Sequence, residues 1–272
     1  MSLEGTIGRE ALVLLKRNPK KYAPNVSGLY LLSLKDYGRG KAARAGYFFF
    51  RNIDDVLDGD REVDEDPVGY ALRYREHIAE GTCDRSDPIS ELGYESYRMF
   101  AERSRPGDDV RQDYLDEIDA MLLERELMQT RRVLSTEELR EYHKKLFAPV
   151  MNLTFIGLGS QLRSADVPEF WECLGITYSV RDMESDWKNG IINIPREVLA
   201  PSHLDGNSAL ADVRANAMVA WWQQDRLDYS KAALFAMQER IQSRIPTEKT
   251  TLKLCDNRVA RMMKIIEANS PS

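Results

Sequence analysis

The chain has 272 residues, 43% hydrophobic and 30% charged, with a formal net charge of −6. That composition describes a folded globular chain rather than a disordered one. The acidic balance speaks against nucleic acid as a partner, because phosphate backbones call for concentrated positive charge.

Apolar residues recur at three- and four-residue spacing nearly throughout, and alternating runs are few. This predicts helices near 7–17, 25–36, 40–58, 66–80, 89–104, 109–133, 136–160, 167–188, 208–244 and 248–268. Pro106-Gly107 ends one segment and Asp108 is expected to cap the next. Ser135 and Glu138 stand in capping-box spacing at the start of another. Trp221 and Trp222 read as helix-packing residues, since large aromatics are mostly buried. No repeat, low-complexity segment or Gly/Ser-rich linker divides the chain, so one all-α domain over residues 1–272 is expected. Cys83, Cys173 and Cys255 are far apart and fit a reducing compartment better than a disulfide framework. No stretch approaches the roughly 20 apolar residues of a membrane span. There is no charged-then-apolar leader either, which makes a cytoplasmic location the expectation.

The segment from Gly46 to Asp58 carries the first chemical signal. Asp54 and Asp58 are four apart, so on a helix they lie one turn from each other on one face. Paired carboxylates repel unless a cation lies between them and a ligand, and hard oxygen ligands suit magnesium, or manganese in its place. Magnesium usually takes one or two carboxylates and completes its shell with water and substrate phosphate. Tyr47 and Phe50 stand one or two turns upstream, and Arg51 precedes Asp54 by one turn, where it can bind diphosphate oxygens. An aromatic wall beside a metal–diphosphate end suits an apolar substrate whose intermediate is a carbocation. The later acids from Asp60 to Asp66 read as a solvated surface.

Asp182 and Asp186 repeat the four-residue spacing at the end of an apolar helical stretch, with Arg181 and Lys188 beside them as substrate-binding candidates. Two such motifs on separate helices can face each other across a bundle. The bland alternative is two solvated helix ends, and two matched motifs make it weaker than one would.

Tyr47-x-x-x-Arg51-x-x-Asp54-Asp55-x-x-Asp58 resembles the first motif of the squalene/phytoene synthase family. Arg181-Asp182-x-x-x-Asp186, followed by Gly190-x-x-x-Ile194-Pro195, resembles its second. The resemblance spans roughly residues 20 to 200. It implies an all-α isoprenoid synthase bundle with a central cavity, and magnesium-dependent head-to-head joining of two farnesyl- or geranylgeranyl-type diphosphates. It implies Asp54, Asp58, Asp182 and Asp186 as metal ligands, Arg51 and Ser27 as diphosphate contacts, and Tyr47 and Tyr142 beside the reacting carbons. Such an apolar substrate leaves peripheral association with a membrane surface open. Reduction by NADPH also stays open: no Gly-rich dinucleotide fingerprint is present, but reductive members of the family do not use one. The sequence does not fix an oligomeric state.

Departures from the family pattern stand out, among them a histidine–serine stretch near the first motif that appears here as Pro24-Asn25-Val26-Ser27. Where a Val-Ala-Gly-x-Val-Gly stretch is usual, this chain has Leu146-Phe147-Ala148-Pro149-Val150-Met151, and Pro149 is expected to bend the helix. Where Gln and Asn commonly precede the second motif, Gly175 and Tyr178 stand. His143, next to Tyr142, is a candidate proton acceptor, although lone helical histidines are more often structural. The departures keep two other readings in view. One is a terpene cyclase acting on a single prenyl diphosphate, which the first motif also fits. The other is a non-catalytic relative that binds lipid or assists assembly.

Overall fold

The computed structural model describes residues 2–269, apart from the side chain of Lys35. The described residues are all-α, as expected, 79% helical and without a strand. The helices are α1 (Leu3–Arg17), α2 (Pro19–Lys35), α3 (Tyr37–Leu57), α4 (Pro67–Glu80), α5 (Pro88–Ala101), α6 (Val110–Thr130) and α7 (Thr136–Leu158). They continue as α8 (Pro168–Arg181), α9 (Met183–Asn189), α10 (Arg196–Leu199), α11 (Leu210–Ala215), α12 (Ala217–Arg244) and α13 (Lys249–Asn269). No helix among the described residues is long and apolar enough to cross a membrane.

Local chemistry explains the boundaries. The capping box at the start of α7 forms on both sides: the Ser135 hydroxyl accepts from the Glu138 N–H at 3.2 Å, and the Glu138 carboxylate from the Ser135 N–H at 2.7 Å. Asp109, not Asp108, caps α6, accepting from the Gln112 N–H at 3.0 Å, while Asp108 accepts from the Arg105 N–H within the preceding turn. The single helix expected over 208–244 is two. Asn216 interrupts it, and its side chain accepts from the N–H groups of Met218 and Val219 to start α12. The helix expected over 167–188 also divides, at Asp182. The Asp182 carbonyl accepts from both the Asp186 N–H and the Ser185 hydroxyl at 2.8 Å, so a new helix begins there. Helix α7 continues through Pro149.

Two compact units divide the chain. One holds residues up to Leu122 together with Leu153–Gly159; the other holds Leu123–Asn152 and Ser160 onward. In the first, α3 packs against α1, α2, α4 and α5 around Phe48, Phe49, Ile53 and Tyr114. Buried Glu10 accepts from Arg61 at 2.7 Å, and the buried Tyr70 hydroxyl donates to Asn52. In the second, α8 packs against α12 and α13, and Trp187 sits in a core with Ile192, Ile194, Val213 and Val219. Arg131 ties that segment down by donating to the carbonyls of Gly206 at 2.7 Å and Trp187 at 3.0 Å. Of the two adjacent tryptophans only Trp222 packs onto this core. Trp221 is 65% exposed, because neighbours on a helix point about 100° apart.

Candidate active site

In the first unit the last turn of α3 presents Asp54, and Asp58 closes the helix, its N–H donating to the Asp54 carbonyl at 2.8 Å. Arg51 bridges Asp54 and Asp55. Asp55 is buried and also accepts from Arg17 of α1 at 2.7 Å. The guanidiniums of Arg17 and Arg51 lie over the ring of Tyr22, 5.2 and 5.3 Å from its centroid. Asp55 thus anchors two arginines beside Asp54. Neither Arg17 nor Tyr22 stands in the aspartate motif, so the motif alone did not point to them.

Burial pushes the Asp54 carboxyl up to about 6; Arg51 opposes that, and the Asp58 and Asp55 charges add to it. Tyr47 is half-buried against the core, with Asn25 of α2 near its hydroxyl. Burial raises its hydroxyl pKa and Asn25 lowers it. Phe50 faces the ring of Tyr114 at 4.8 Å, within the aromatic packing of the unit. Ser27 is exposed on α2.

In the second unit Asp182 stands at the junction of α8 and α9, and Asp186 one turn on. Asn193 donates to Asp186 at 2.9 Å. Burial pushes Asp186 up to about 6, Asp182 adds to that, and the Asn193 bond opposes it. Arg181 donates to Asp182 at 2.7 Å and stacks over Tyr178 at 4.1 Å. Lys188 is exposed. Gly190 ends α9 in the left-handed conformation, φ 93°, which glycine adopts without strain. That turn leads to Asn193, a partner carried within the second motif's own tail.

Asp182, Asp186 and Asn193 open into a cavity of about 180 Å³, whose walls include Tyr142, His143 and Phe147 of α7 and Gly175 and Tyr178 of α8. Tyr142 is buried and packs on Leu127, Leu134 and Leu139. The ring of Phe147 meets that of Tyr178 edge-on at 6.0 Å. Residues that depart from the family pattern, Phe147, Gly175 and Tyr178, therefore line one cavity.

These residues fit a magnesium ion. Each aspartate pair offers two carboxylates, the number such an ion commonly takes from protein, and in each pair burial and a neighbouring aspartate raise one carboxyl. Among the described residues no group of three or more His, Cys, Asp or Glu comes together to hold a metal ion.

Comparison with known proteins bears on family and fold. A family model described as squalene/phytoene synthase matches residues 31–261. A crystal structure of squalene synthase HpnC from Alicyclobacillus acidocaldarius superimposes with a TM-score of 0.69 at 17% identity, over 98% of this chain and 93% of that one. At that identity the likeness speaks for the fold. No curated protein is a significant match.

Proposed function

The chain belongs to the squalene/phytoene synthase family, and we propose that it condenses two prenyl diphosphates of farnesyl or geranylgeranyl type head-to-head, with magnesium. The observation that carries the reading is the two aspartate pairs, Asp54 with Asp58 and Asp182 with Asp186, each one turn apart at a helix end beside an arginine. Asp54, Asp58, Asp182 and Asp186 would hold the metal. The chemistry such ions supply when bound is neutralisation of the departing diphosphate.

The chain's own residues supply the rest. Arg51, pinned by Asp55, and Arg17 beside it bind diphosphate oxygens. Arg181 and Lys188 do the same near the second pair, and Ser27 adds a hydroxyl contact. Tyr47, Phe50 and Tyr142 present aromatic faces to a carbocation, which water would otherwise quench. Incubation with farnesyl diphosphate and magnesium, followed by mass spectrometry, tests the reading. A C30 product supports it. A cyclic C15 product would mean a cyclase, and magnesium-dependent binding without turnover would mean a non-catalytic relative.

A further inference from the structure

We propose that His143, hydrogen-bonded to Ser179, is the proton acceptor of the cavity in the second unit. The inference rests on the prenyl-cation reading above and extends it to how the cation is discharged.

Four observations carry it. His143 lies on α7 and is buried, yet its ring forms part of the cavity wall that also carries Asp182 and Asp186. Its Nε2 is 3.2 Å from the Ser179 hydroxyl. Helix α8 makes room for it: a β-carbon at position 175 would lie 2.4 Å from its Cγ and Nδ1. Among the described residues no charged group pairs with it, and burial alone pushes its pKa down to about 4. The titratable groups sharing the cavity are Glu124, Tyr142, Tyr178, Asp182 and Asp186. A neutral imidazole accepts a proton without first bringing a charge of its own to the cavity.

The step balances without an oxidant or reductant. A C–H bond next to the cationic carbon breaks, its electron pair closes a C=C bond, and the proton passes to the imidazole, directly or through Ser179. Where water attacks instead, its oxygen forms the new C–O bond and the O–H proton takes the same route. Both outcomes leave an imidazolium that returns its proton to solvent.

His143→Gln keeps a polar side chain of similar reach and removes the base. With farnesyl diphosphate and magnesium, the wild-type enzyme is expected to release diphosphate and give a hydrocarbon or an alcohol. Incorporation of 18O from labelled water distinguishes the two proton sources. The variant is expected to release diphosphate at a similar rate while the terminal product falls at least about tenfold, the range of a general base. An unchanged product spectrum at unchanged rate would overturn the proposal. A wild-type enzyme that releases no diphosphate would instead overturn the functional reading on which it rests. A second measurement covers a variant that does not fold. The chain has three histidines, so 15N spectra of the metal-free wild type can be assigned with His77 and His203 substitutions. His143 is expected to be neutral at pH 6, and a protonated ring there would also overturn the proposal.

Discussion

The ring of His143 occupies space that Gly175 leaves vacant: a β-carbon at 175 would come within 2.4 Å of the imidazole Cγ and Nδ1. The two positions are 32 residues apart, on α7 and α8, and each fixes what the other can be.

Gly175→Ala is therefore expected to destabilise, although alanine is the better helix former by about 1 kcal/mol. Overpacking against His143 outweighs that gain, for a net loss of roughly 1–2 kcal/mol. In a His143→Ala background the same substitution should become neutral or stabilising. Urea unfolding of the four proteins in a double-mutant cycle gives the coupling. Additive effects would show that the ring and the glycine are independent.

The raised Asp54 carboxyl has a consequence for stability. A folded-state pKa of about 6 against 3.8 means the folded protein holds the proton more tightly than the unfolded chain. Stability from this group is present below about pH 4 and lost as pH rises through 6. Allowing for its partial exposure, the loss is about 1–2 kcal/mol in metal-free protein. Asp54→Asn should be more stable than wild type at pH 7 by that amount and not at pH 4. Equal urea midpoints at pH 7 would contradict the assignment.

Asp55 predicts the opposite. It is buried and holds both Arg17 and Arg51. Asp55→Asn leaves two guanidiniums short of their counter-charge. It should cost roughly 2–3 kcal/mol, less than a fully buried pair because both arginines are partly exposed. The KM for prenyl diphosphate should also rise. Asp55→Asn with wild-type stability and KM would show that the arginines hold their places without it.

Asn193 orients Asp186 by donating to it. Asn193→Ala should weaken magnesium binding in the presence of a farnesyl thiodiphosphate about tenfold, the effect of losing a partner that orients a ligand. Calorimetry measures this, and an unchanged affinity would mean that Asp186 needs no such support.

Spacing made part of this legible. Four-residue intervals marked both aspartate pairs, and Ser135 with Glu138 marked a cap that forms as read. Periodicity did not reveal the break at Asp182, because the bonds that restart the helix converge on a backbone carbonyl. Nor did it reveal the Arg17–Asp55 pair, which joins residues 38 apart. Gly175 read as a lost polar contact. Its meaning depends on a ring from another helix, which no local pattern encodes.

Asp54 and Asp186 are proposed to serve magnesium-dependent departure of diphosphate. Diphosphate release from farnesyl diphosphate by wild type, Asp54→Asn and Asp186→Asn, with and without magnesium, tests it most directly. Release by wild type only with the metal, and a fall of at least about a hundredfold in each variant, is the predicted result. Release that survives both substitutions, or that is indifferent to magnesium, would contradict it.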